Sequence, residues 1–138
     1  MRAQSPSRVD PLIFFLDRSL GKRIVADALR QAGAVVEMHN DHFRQDANDV
    51  EWLRAVGPRG WIVLTRDDKI RYRFHERTAL IQAGVRAFML AKRSLSGPAM
   101  AEAFVQALPA MRRFVARYQA PFIARVTQAG SVSLLLKP

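Results

Sequence analysis

Residues 12–20, LIFFLDRSL, decide how this chain is read, because five apolar residues in succession end on an acid. A run with no polar face reads as a strand covered on both sides of a sheet, so Leu12 to Leu16 is the first strand and Asp17 closes it. Working outward, Leu20, Ile24, Ala28 and Leu29 recur at helical spacing, and Gly33 supplies a left-handed stop before Val35 and Val36. The order is strand, helix, strand. The polar stretch MHNDHFRQDAND, residues 38–49, has no periodicity and reads as a loop. It feeds a short amphipathic helix over Val50, Trp52, Leu53 and Val56, whose first turn carries Asp49 and Glu51. Gly57, Pro58 and Gly60 turn the chain into a second fully apolar run, Trp61 to Leu64, that stops on Thr65, Arg66, Asp67 and Asp68. A helix from Ile70 to Ala83, a stop at Gly84 and a strand from Val85 to Leu90 continue the alternation. This pattern predicts an open, mostly parallel α/β sheet with right-handed crossovers.

Beyond Ser96, Gly97 and Pro98, a long helix carries Met100, Phe104, Ala107, Leu108, Met111, Val115 and Tyr118 on one face, and Pro109 is expected to bend or restart it. Phe122 to Val126 and Val132 to Leu136 flank Gln128-Ala129-Gly130 and predict a hairpin extension. At 138 residues, 49% hydrophobic and 25% charged, the chain suits one soluble domain. Residues 1–10 are expected to be a mobile tail, 11–92 the strand-helix core, and 97–138 the C-terminal helix and hairpin. No apolar run approaches the ~18 residues of a membrane helix, and the N-terminus lacks the apolar stretch of a secretion signal, so a cytoplasmic location is expected. With no cysteine, disulfides, thiolate zinc sites and cysteine nucleophiles are excluded.

Charge gives the first functional hint. There are 22 Lys and Arg against 12 Asp and Glu, a formal net charge of +10, which favours a polyanionic partner. Residues 91–138 hold 7 basic residues and a single acid, Glu102, so the acids are concentrated in the strand-helix part. In an open parallel sheet the functional crevice lies at the carboxyl ends of the strands. Asp17 closes the first strand, Glu37 and Asp41 follow the second, Asp49 and Glu51 open the next helix, and Asp67 and Asp68 close the third strand. Carboxylates brought together on one rim repel unless a cation lies between them, which suggests an oxygen-ligand site for Mg²⁺ or Mn²⁺. Solvated loop acids are the plainer alternative.

His39 and His42 flank Asp41 but read as surface or RNA-contacting residues rather than metal ligands. In Arg71-Tyr72-Arg73-Phe74-His75, cationic and aromatic residues alternate directly after the acidic turn. Such side chains clamp phosphates and stack bases, although the two aromatics read equally well as core. Ser19 reads as a helix cap. Phosphate-cradling glycine loops and nucleophile elbows are absent from the sequence.

Taken in order, FFLDRSLGKRIVADALRQAG, NDVEWL, WIVLTRDDKI and the later segment Phe122 to Val126 resemble the PIN-like superfamily of ribonucleases, in particular its compact VapC-type, toxin-like members. The resemblance implies a three-layer α/β/α sandwich whose acidic, metal-dependent site hydrolyses RNA phosphodiesters. By motif, Asp17 matches the family's first-strand aspartate, Asp49 or Glu51 its helix-opening acid, and Asp67 its third acid, with Asp68 as a further metal ligand. Similar proteins carry acids where this chain has Arg18 and Lys69, so a degenerate member that binds RNA without cleaving it stands as the alternative. Arg18, Arg66, Lys69, Arg71, Arg73, Lys92, Arg93 and Arg112 are the expected contacts to RNA. The implied partners are RNA and an antitoxin protein, with a homodimer left open. Two other classes compete. A phosphoacceptor domain wants an acid pair after the first strand, where this chain has Asp17-Arg18, and a pure binding module would tolerate loss of the acids.

Overall fold

A computed structural model describes residues 12–21, 23–91 and 95–136, and for Asp68 and Lys69 the backbone alone. The expected tail, Lys92 and Arg93, and the side-chain roles of Asp68 and Lys69 lie outside the described residues. The strands are β1 (Ile13–Leu16), β2 (Val35–Met38), β3 (Ile62–Thr65), β4 (Arg86–Leu90), β5 (Phe122–Val126) and β6 (Val132–Leu136). They form one sheet in the order β2-β1-β3-β4-β5-β6, in which only β6 runs antiparallel to its neighbour. The C-terminal hairpin thus prolongs the central sheet, since β5 pairs in parallel with β4.

Alternate strand residues point to opposite faces, and this splits the core in two. Phe14, Leu16, Ile62, Leu64, Phe88, Leu90 and Ala124 face α1 (Ile24–Gln31) and α5 (Gly97–Arg117). Phe15, Val63, Ala87 and Ile123 face α3 (Asp49–Val56) and α4 (Phe74–Ala83). The result is the three-layer α/β/α sandwich, and the fully apolar runs exist because both sheet faces are covered. None of the described helices is long and apolar enough to cross a membrane.

Several local expectations are corrected. Leu20 belongs to a separate 3-10 turn, Arg18–Leu20, closed by Gly21 at φ +79°. The helical phase therefore restarts at Ile24. Val25, Ala26 and Leu29 become the buried face of α1, and Ile24 is exposed. The expected loop after β2 contains a single helical turn, α2 (His39–His42), because His39 and Phe43, four residues apart, both turn into the aromatic cluster around Phe15. The helix expected from Ile70 splits into a 3-10 turn, Asp68–Arg71, and α4, with Ile70 buried beneath the break. Pro109 neither ends nor restarts α5, which runs unbroken through it. Pro109 lies on the exposed side, and the buried stripe from Met100 to Phe114 holds both halves to the same sheet face. Phe114 joins the buried stripe, and Val115 and Tyr118 pack against it partly buried.

The uniform handedness of the crossovers also fails. From β1 to β2 the chain steps one way along the sheet over the α1 face, and from β2 to β3 to β4 it steps back over the opposite face, which is a single hand. From β4 to β5 it continues in that same direction but over the α1 face, so this fourth crossover has the opposite hand, a rare arrangement. Burial explains it: the long apolar stripe of α5 packs against α1, covering a face that one short helix leaves open. The strand order reverses direction between β1 and β3, so their carboxyl ends flank the crevice where α/β sheets place their sites.

Candidate active site at the ends of β1 and β3

Asp17 follows β1 directly, and its amide still donates to the Leu64 carbonyl at 3.2 Å, so the residue is held in the ladder with β3. Its side chain caps the 3-10 turn by accepting from the Ser19 amide at 2.9 Å. The Ser19 hydroxyl donates to the same oxygen, Oδ1, while Thr65 Oγ1 donates to Oδ2 at 2.5 Å. The two hydroxyls lie 3.2 Å apart, and each also accepts an amide of the turn after β3: Arg66 N–H to Ser19 Oγ at 3.0 Å and Asp67 N–H to Thr65 Oγ1 at 3.0 Å. The strand tips are thereby stapled through polar side chains. Ser19 is thus no cap itself; it is the residue capped, and it positions the carboxylate that caps it.

Asp17 is only 8% exposed, and burial pushes its pKa from 3.8 up to about 6, against the pull of the three hydrogen bonds. The charge of nearby Asp49 pushes in the same direction as burial. Asp49 stands in the first turn of α3, whose N-terminus is capped by Asn48 through the Glu51 amide at 2.9 Å. Its Oδ1 accepts from Trp52 Nε1 at 2.9 Å and lies 3.5 Å from Arg18 Nη2. Glu51, two residues on, is exposed and lines the neighbouring groove with Arg54 and His75. Of the two helix acids left open by sequence, Asp49 is the one directed toward Asp17.

A fourth carboxylate completes the group. Glu76, in the first turn of α4, is 15% exposed and lies 3.3 Å from Arg73 Nη1, which also reaches Asp67 Oδ2 at 3.8 Å. Burial raises the Glu76 pKa first, then Asp49; Arg73 opposes the rise, and Asp67 adds to it. Its Oε2 is buried without a hydrogen-bond partner. Among the described residues, no three carboxylates or imidazoles stand close enough to hold an ion as the side chains are placed. The donor chemistry nevertheless fits a hard divalent cation: four carboxylates on one rim, one deeply buried and one with an unpartnered oxygen, with two guanidinium groups supplying the counter-charge.

A sequence model described as PIN like domain matches residues 12–92, which hold β1 to β4 and all four of these acids. The chain belongs to the PIN-like domain family. It is 30% identical over 125 residues to "Putative ribonuclease VapC45" of Mycobacterium tuberculosis, an alignment covering 88% of this chain and 90% of that relative, which makes it a VapC-type member. No solved structure matches the chain significantly.

In this PIN-like chain the expected RNA-binding residues divide. Arg18 is drawn onto Asp49 and the Gln45 carbonyl, and Arg73 onto Asp67 and Glu76, so both serve the carboxylates. Arg66 Nη1 lies 3.8 Å from Met100 Sδ. Arg71 packs on the Tyr72 ring at 4.6 Å, and Arg112 is exposed on α5. The histidine expectation is overturned for His39, which is buried between Phe15, Phe43 and Trp52, with its pKa lowered mainly by that burial. His42 bonds Glu37 at 2.6 Å and meets the Trp61 ring edge-on. Sequence reasoning missed Thr65 and Glu76. Thr65, the last residue of an otherwise apolar strand, was a readable signal; Glu76 gave none, because the acids it joins, Asp49 and Asp67, come from separate segments.

Proposed function

We propose that this chain is a divalent-metal-dependent endoribonuclease, the toxin of a cytoplasmic toxin-antitoxin pair. The observation that carries the reading is the four-carboxylate rim at the topological switch point, built around an aspartate buried at an electrostatic cost. Asp17, Asp49, Asp67 and Glu76 would hold Mg²⁺ or Mn²⁺, with Asp68 beside them in sequence. A bound divalent ion would supply Lewis-acid stabilisation of the charge that develops on the phosphoryl oxygens. The protein's own share is geometric. Ser19 and Thr65 fix both oxygens of Asp17, Trp52 fixes Asp49, and Arg73 bridges Asp67 and Glu76. The surplus positive charge attracts the RNA backbone.

One observation favours the degenerate alternative: Arg18 and Arg73 already neutralise the acids, as they would in a binder that needs no ion. Metal dependence separates the two. A labelled single-stranded RNA incubated with the protein should be cleaved in Mg²⁺ or Mn²⁺, spared in EDTA, and cleaved again when metal is restored. RNA bound equally well with and without EDTA, and never cleaved, would establish the inert reading.

A further inference from the structure

Tyr72 is 67% and Phe74 74% exposed, the highest values among the large apolar side chains described. The reading of these rings as core is therefore excluded. They stand on either side of Arg73, whose guanidinium touches Asp67 and Glu76, so both rings leave the chain next to a residue in contact with the acidic rim. Arg71 covers one face of Tyr72, its guanidinium carbon 4.6 Å from the ring centre, and His75 meets the Phe74 ring at 5.5 Å in an edge-on arrangement. Arg77 follows two residues later, beyond Glu76, and no aliphatic side chain interrupts the series from Arg71 to Arg77. An apolar protein surface would favour aliphatic and aromatic neighbours together; flat rings spaced by cations match a polyanion that also offers flat faces.

We infer that Tyr72 and Phe74 are a stacking platform for unpaired bases flanking the cleaved phosphate. The inference rests on the ribonuclease reading. Bases within a duplex stack on one another and have no face to give, whereas an unpaired base can leave its neighbour for an aromatic ring. The platform also assigns the cations their part: Arg71 backs the Tyr72 ring, and Arg73 links the platform to the carboxylates.

The test is binding in EDTA of a labelled single-stranded oligoribonucleotide, and of the same strand annealed to its complement, by the parent, Tyr72→Ala, Phe74→Ala, Tyr72→Phe and Phe74→Tyr. Both positions are exposed, so unchanged melting temperatures are expected for all variants. Each alanine variant should lose about tenfold in affinity for the single strand and nothing for the duplex. The aromatic exchanges should restore parental binding. The slope of log affinity against log salt should stay parental in the alanine variants, because no phosphate contact is removed. Alanine variants that bind and cleave single-stranded RNA like the parent would overturn the platform alone and leave the patch to a protein partner. Equal losses for single strand and duplex would overturn it as well, as a purely electrostatic surface. A parent that neither binds nor cleaves RNA would remove the ribonuclease reading and the platform together.

Discussion

Replacing Asp17 by Asn should stabilise the metal-free protein, and by an amount that grows with pH. The folded chain holds the Asp17 proton up to about pH 6, whereas the ordinary value is 3.8. Between these values the folded state binds more protons than the unfolded one, so parental stability falls as pH rises through that window and stays reduced above it. At ~1.36 kcal/mol per pH unit the full cost is about 3 kcal/mol. Asn keeps the shape and one acceptor for Ser19, and its amide can donate to Thr65 Oγ1 once that hydroxyl turns its proton toward Ser19 Oγ, 3.2 Å away. The variant's advantage over the parent should therefore be small at pH 4 and about 3 kcal/mol at pH 7. Urea unfolding of both proteins in EDTA at several pH values reads this difference directly. An advantage that does not change with pH, or a variant less stable than the parent at pH 7, would refute the burial argument for Asp17.

Glu76→Gln should raise the melting temperature in EDTA, since it removes a buried charge held beside Asp49 and Asp67, and should reduce metal-dependent cleavage by at least tenfold; differential scanning fluorimetry and the RNA assay check the two halves. His39→Phe should flatten the acid side of the stability profile. The buried imidazole titrates below 6.5, so its contribution is present above that pH and is lost as pH falls through 6.5 toward the lower folded value. Urea midpoints between pH 5 and 7 would show it. Gly57→Ala should destabilise by about 1–3 kcal/mol, because the new Cβ would lie 2.2 Å from the Ala83 carbonyl oxygen where the ends of α3 and α4 meet, measurable as a lower urea midpoint.

The layers of this fold were legible because a strand covered on both faces writes itself as an uninterrupted apolar run, as Leu12 to Leu16 and Trp61 to Leu64 do. Helix phase was less legible. Leu20 shares helical spacing with Ile24, yet Gly21 breaks the backbone between them, and which face of α1 is buried depends on where the count restarts. The hand of the α5 crossover was invisible, since it follows from what α5 covers and not from any residue within the connection. At the site, Asp17 and Asp67 were readable because apolar runs stopped on or near them at neighbouring strand ends. The choice between Asp49 and Glu51 required the helix orientation, and the Trp52 indole supplies it. Glu76 was hidden because it joins Asp49 and Asp67 only when α3 and α4 pack together. Arg18 and Arg73 looked like phosphate contacts in sequence, where charge is visible but its partner is not.

The most direct test of the ribonuclease reading is cleavage of a labelled single-stranded RNA in Mg²⁺ or Mn²⁺ by the parent and by an Asp17→Asn, Asp67→Asn double variant purified in the same way. The account predicts cleavage by the parent that stops in EDTA, and none above background by the folded double variant. Equal cleavage by both proteins, or none by either while RNA binding persists, would contradict the assignment of the carboxylate rim as the catalytic centre.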